Sequence, residues 1–302
     1  SGAAGRVDIR AGSLTMNGED EAGLRSRVSS RALASSTGQP GSLAIDITGL
    51  ADLQPGALLS IANEATVQAA AAVQPTLLLR AGSLRLDGAD ITAAATRNAA
   101  AGAITLETTG GLRLAGSTVR TSSLDGDGGP ITLRAGGMVR LRDSAITTSV
   151  EGTRNGNGGN ITLACPALVL QSAAVQANTT APLARGGQVR VDAALLLPDG
   201  NNVFVGGSRV QALQAGVPGF NIIQAAAPDG VSGRLDLTVP QLDLAGTVVG
   251  LSTRRVDLDG VARDVCDAGP DSRFTTPGRG AVREPASAPL RIETAAPGRA
   301  GS

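Results

Sequence analysis

The side chains in this sequence that could do chemistry are acids and arginines. Asp125, Asp127 and Asp143 lie in a stretch that also carries Arg113, Arg140 and Arg142. Paired carboxylates can act as general acid and base on a glycosidic bond, and guanidinium groups can hold an acidic sugar chain. The chain has no His, so the commonest general base and metal ligand is missing. Neither a Ser-His-Asp nor a Cys-His arrangement can be built. Trp and Tyr are absent as well, and only Phe204, Phe220 and Phe274 supply rings. Sugars would find almost no platform to stack on. The run Asp125-Gly126-Asp127-Gly128-Gly129 has the composition of a calcium-binding turn, but it lacks nonapeptide repetition. Two carboxylates also fall short of the roughly six to eight oxygens that Ca²⁺ takes. The matching stretch 30 residues on has Asn155 and Asn157 in their place. A solvated turn accounts for these residues, and no catalytic residue, metal or cofactor site is assigned.

What would position any such group is a repeat. Ala103-Ile104-Thr105-Leu106, Pro130-Ile131-Thr132-Leu133 and Asn160-Ile161-Thr162-Leu163 share one pattern, with the Ile positions 27 and 30 residues apart. Gln188-Val189-Arg190-Val191 follows after 28, and Thr76-Leu77-Leu78-Leu79 precedes by 27. Looser copies stand at Leu43–Ile45 and Val7–Ile9. Each triplet is followed by a Gly-containing turn and a second alternating pair. These pairs are Leu14/Met16, Leu84/Leu86, Leu112/Leu114, Val139/Leu141 and Leu168/Leu170. Third short strands centre on Ile91, Val119, Ile146 and Val175. Period-2 alternation argues strand, and no segment sustains a helical period. Three strands per unit predict a three-sided coil, and coils stacked in register predict an all-β, right-handed parallel β-helix. The variable length falls at one corner, where 125–129 and 155–159 are expected to be turns needing positive φ.

That register carries the candidate binding residues. Arg85, Arg113 and Arg140 each stand between two inward aliphatics, so they point outward at equivalent places on consecutive coils. Like charges that close repel unless they are screened or share an anion. The column therefore offers a contact for acidic polysaccharide or sulfated glycan, while a solvated face is the plainer expectation. Thr105, Thr132 and Thr162 form a second outward column that suits strand propensity. Cys165 reads as a packed small residue and Cys266 falls in the tail; a bridge between them is left open.

Composition fits a thin aliphatic tube. Ala, Leu, Val and Ile supply nearly all the apolar content, and there are 41 Gly. The 26 basic residues balance 26 acidic ones, so no global field points to nucleic acid. No apolar run approaches the roughly 20 residues of a membrane-spanning helix. Coils are expected over 1–250, irregular after about Pro198 although Val203–Val205, Ile222-Ile223, Leu235–Leu237 and Leu242–Leu244 still read as strands. A partly disordered tail is expected over 251–302, with 277–302 flexible and proline-bearing. The chain opens in mid-pattern at Ser1 without a signal peptide and is expected to be a piece of a longer protein.

The run Gly156-Asn157-Gly158-Gly159-Asn160-Ile161-Thr162-Leu163, with Leu168-Val169-Leu170-Gln171-Ser172 after it, resembles the filamentous-haemagglutinin-like exoproteins of two-partner secretion. Gly230-Val231-Ser232-Gly233-Arg234-Leu235 and Leu244-Ala245-Gly246-Thr247 add to the likeness. So do Val265-Cys266, Ser272-Arg273-Phe274 and Gly278-Arg279-Gly280, which are similar to the C-terminal end of such passengers. The motifs are short and Gly-rich, and their order over residues 40–280 carries the resemblance. It implies a right-handed parallel β-helix, export through an outer-membrane β-barrel transporter, and display or release as an adhesin. A surface glycan or protein of a host or neighbouring cell would then be the partner. The family's N-terminal secretion domain has no counterpart in this sequence, and its pattern supplies no catalytic residues. A β-helix carbohydrate-active enzyme (polysaccharide lyase or hydrolase) stays as the second reading, and a structural spacer as the third.

Overall fold

The computed structural model describes residues 4–239, apart from 19–24, 37–38, 66–73, 98 and 153–155, together with the backbone of 291–294. The chain divides into two units, 1–240 with 289–302, and 241–288. The second unit, which holds Leu242–Leu244 and Cys266, lies outside the described residues.

The first unit is a parallel β-helix with three sides. Its first side is laid down by β1 (Val7–Ala11), the leading halves of β4 (Leu43–Leu53) and β6 (Thr76–Asp87), β8 (Ala103–Thr108) and β11 (Ile131–Ala135). It continues through the leading halves of β14 (Ile161–Gln171) and β16 (Val189–Pro198) to β19 (Leu235–Thr238). Val7, Leu43, Leu77, Ile104, Ile131, Ile161, Val189 and Leu235 pair in one parallel register. The expected triplets are thus rungs of one ladder, loose copies included. The second side stacks β2 (Leu14–Met16), β9 (Leu112–Ala115) and β12 (Val139–Arg142) with the trailing halves of β4, β6, β14 and β16.

The third side contains β3 (Arg27–Ala32), β5 (Leu58–Asn63), β7 (Asp90–Ala95), β10 (Thr118–Ser123), β13 (Ala145–Val150) and β15 (Ala174–Thr179). Ile91, Val119, Ile146 and Val175 sit in register on it, as their spacing implied. The inward residues of all three sides merge into one aliphatic cluster running from Met16 to Ala225. Fully burying each such Leu or Ile is worth about 1.5–3 kcal/mol. No coil holds this surface alone, so each is stabilised by its neighbours. Thr121 and Thr148 also point inward and donate to the carbonyls of Gly129 and Gly159 at 2.6 and 2.7 Å. They tie the third side to the glycine corner that follows it.

That corner differs from expectation. Of the glycines in 125–129 and 155–159, only Gly156 has positive φ, at 133°. The others are glycine because consecutive coils touch there through bare backbone. A Cβ on Gly129 would meet Gly102 O at 2.0 Å, one on Gly187 would meet Gly159 O at 1.9 Å, and one on Gly233 would meet Gly187 O at 1.8 Å. Left-handed backbone falls instead at the corner between the second and third sides. Gly56, Gly88 and Gly116 occupy it with φ of 89°, 57° and 56°, and Asp143 and Ser172 follow at 50° and 51°. A non-glycine residue is strained there, and both side chains are held. Asp143 accepts from Gly216 N at 2.7 Å, and Ser172 donates to Val217 O at 2.7 Å.

Those contacts belong to a departure in the last coils. After a short 3-10 turn at Asp199–Asn201, β17 (Asn202–Val205) does not pair with β15. β18 (Ile222–Gln224) takes that place, and β17 stacks on its far side. The intervening segment 206–221 folds back over the outer face of β15. Gln176 donates to Gln211 O at 2.7 Å, and Gln224 donates to Gly206 O and Arg209 O. β20 (Arg291–Thr294), within the expected tail, runs parallel to β17.

Candidate anion-binding face

On each strand of the second side two aliphatics face inward and the residue between them faces outward, so one outward column is fixed by the ladder. From coil to coil it reads Thr15, Asp52, Arg85, Arg113, Arg140, Val169 and Leu197. The three arginines expected to align do align, on adjacent rungs about 4.8 Å apart. Two unit charges at that distance repel by about 1 kcal/mol even in bulk water.

Carboxylates compensate Arg85 at one end of the column, Arg140 at the other end is hydrogen-bonded only to a neutral amide, and Arg113 at the centre has neither. Arg85 Nε lies 3.7 Å from Asp52 Oδ1, and its terminal nitrogen lies 3.6 Å from Asp87. Asp52 Oδ1 is buried and receives no hydrogen bond, so its interaction with Arg85 is purely electrostatic. At the other end Arg140 Nε donates to Gln171 Oε1 at 2.8 Å. Arg142 lies 3.9 Å from Asp143. Arg113 is exposed, and its guanidinium meets no ion-pair or hydrogen-bond partner among the described residues. It is flanked on both sides by cations, which is the charge pattern that favours a bridging anion. Guanidinium groups suit carboxylate and sulfate oxygens because they donate in a planar fork.

Of the carboxylates weighed for acid-base work, Asp143 does not converge with Asp125 and Asp127. Asp125 and Asp127 follow β10 at the third-to-first corner, whereas Asp143 precedes β13 at the second-to-third corner. A six-residue strand separates those corners, which is about 20 Å. Paired glycosidase carboxylates sit within roughly 5–9.5 Å. Asp127 instead ties coils together, accepting from Asn157 N at 2.8 Å, and Asn157 Oδ1 in turn accepts from Arg185 N at 3.0 Å. Cys165 is a free thiol packed against the core. Burial pushes its pKa up to about 11, against backbone hydrogen bonds from Val139 and Ala167 and with a smaller rise from Asp192, so it is a poor nucleophile at neutral pH.

One recess was not foreseen. Arg120, Thr147, Ser149, Gln176, Asn178 and Val210 line a groove of about 270 Å³ on the outer face of the third side. Alternation against Ile146 and Val175 places the strand residues outward. The wall supplied by Val210 comes from the folded-back segment, which has no periodicity to read.

No family model, curated protein or solved structure matches this chain.

Proposed function

We propose that this chain is a structural and adhesive segment of an exported bacterial surface protein of the filamentous-haemagglutinin-like kind, working without catalysis. Its route out is a two-partner system with an outer-membrane β-barrel transporter, and its place is the outer cell surface or the medium. The Arg85, Arg113 and Arg140 column contacts acidic polysaccharide or sulfated glycan on a host or neighbouring cell.

The observation that carries the reading is the uncompensated Arg113 at the centre of a same-sign column. Stacked coils support the export route, because each coil needs only its predecessor as a template. The separation of Asp143 from Asp125 and Asp127 favours the non-catalytic reading over a lyase or hydrolase.

The test is binding to heparin and to a polyuronate, at 50 mM and 500 mM salt, for the parent chain and for the Arg85→Ser, Arg113→Ser, Arg140→Ser triple variant. Contacts between cations and a polyanion weaken as salt screens them. The parent should bind more weakly at high salt, and the triple variant should lose at least tenfold at low salt. Equal binding by both proteins would discard the column as the contact.

A further inference from the structure

The groove on the third side differs in chemistry from the arginine column and calls for a different ligand. Thr147, Ser149 and Thr180 bring hydroxyls that both donate and accept, and Gln176 and Asn178 bring carboxamides that also do both. Its one cation, Arg120, is already paired with Glu151 and donates to Ser149 Oγ at 3.2 Å. The lining therefore has no net charge and is mostly apolar surface, with a few oriented hydroxyl and carboxamide groups set into it. A phosphate, sulfate or carboxylate would find no free cation in it.

Its walls are held still before anything binds. Gln176 Nε2 donates to Gln211 O and to Gln224 Oε1, at 2.7 and 3.2 Å. Asn178 Oδ1 accepts from Ala226 N at 2.7 Å, and its amide nitrogen reaches Gln224 Oε1 at 3.4 Å. Gln176 and Asn178 are only 7% and 8% exposed. Each thus turns a narrow, oriented edge to the recess, and an oriented site loses little freedom on binding.

Size sets the ligand. A volume of about 270 Å³ holds roughly nine water molecules at about 30 Å³ each. That is the scale of one hydroxylated six-membered ring. A peptide strand is a poorer fit, since three extended residues already span about 10 Å. Val210 and the Thr147 methyl belong to the apolar majority of the lining, which suits the C–H face of such a ring.

We infer that this groove binds a single neutral sugar residue, free or as a unit of an uncharged glycan. It is independent of the cationic column, which lies on another side of the coil. The experiment follows backbone amide resonances of the intact chain by NMR during titration with methyl glucoside, methyl galactoside and methyl N-acetylglucosaminide. Maltohexaose, cellohexaose and chitohexaose are titrated in parallel. Shifts confined to residues 147–151, 176–180 and 208–212 are expected with at least one of these sugars, unchanged between 50 mM and 500 mM salt. Response to a methyl glycoside identifies a free sugar as sufficient, and response to a hexasaccharide alone identifies a glycan unit. A Thr147→Val, Ser149→Val variant keeps strand propensity while removing both hydroxyls, and should weaken binding at least tenfold. The triple arginine variant should bind neutral sugar as the parent does. No shift with any of the six probes overturns the inference, as does full binding by the valine variant. Loss in the triple arginine variant overturns it too, by assigning the sugar to the column.

Discussion

Two outward columns on adjacent sides of this coil meet the same electrostatic problem and solve it in opposite ways. On the first side Asp46, Arg80, Glu107 and Arg134 follow one another in register. Arg80 lies 3.7 Å from Asp46 and 2.9 Å from Glu107, and Glu107 lies 3.5 Å from Arg134. The hydrogen bond to Glu107, with its charge, holds the Arg80 guanidinium more firmly protonated than usual. On the second side Arg85, Arg113 and Arg140 occupy equivalent rungs with one sign throughout. A stacked coil tolerates either pattern because its stability resides in the interior. Outward residues are therefore free to serve another purpose, and a same-sign run is the less stable choice of the two.

The largest effect should erase the comparison altogether. Leu133 is fully buried in register between Leu106 and Leu163. Leu133→Ala should destabilise the coil by about 2–5 kcal/mol, measured by urea unfolding, and should weaken heparin binding only where the coil has melted. Next, Glu107→Arg would convert the alternating column into a copy of its neighbour. Its melting temperature should fall by about 2–4 °C at low salt, recover in 1 M salt where the screening length shrinks to about 3 Å, and be accompanied by tighter heparin binding. The converse change, Arg113→Glu, makes the second side alternate. It should raise the melting point by about 1–2 °C at low salt while lowering heparin affinity at least tenfold. An unchanged affinity would mean that the centre of the column is not the contact.

The smallest effect lies at the end of the first side. Asp236 is held below its ordinary pKa by hydrogen bonds from Arg234 and then Gln188. A carboxylate lowered on folding adds stability above its unfolded pKa of about 3.9 and loses it as pH falls through the folded value. Melting curves between pH 6 and pH 2 should therefore show a shallower acid limb for Asp236→Asn than for the parent. Parallel limbs would mean that Asp236 adds nothing.

The central coils were legible because their inward residues alternate strictly and their spacing is nearly constant. Ile104, Ile131 and Ile161 announce a ladder, and the ladder then dictates where Arg113 and Thr132 must point. Early third-side strands such as Arg27–Ala32 were not legible, since Val28 is the only large aliphatic in the strand and no period can be read from it. The glycine corner was located correctly but for an incomplete reason. Positive φ is a property of one residue, whereas contact of Gly187 with Gly159 arises only when coils stack. Alternation alone would turn Gln176 and Asn178 to solvent, yet both are buried, with Gln176 bonded to Gln211 of the folded-back segment and Asn178 to Gln224 and Ala226. A covering segment held through its backbone leaves little trace in its own side chains.

The reversed order of β17 and β18 imposes a waiting step on any chain that is laid down from its amino end. From β4 to β16, every strand finds an earlier strand already in place as its docking edge. β17 arrives to find its neighbour missing, because that neighbour begins at Ile222. The stretch from Asn202 must stay slack until the later strand has slotted onto β15, and only then can it close over the top. The coil thus grows like a zip until its last teeth, which engage out of sequence and bind the end of the run behind them.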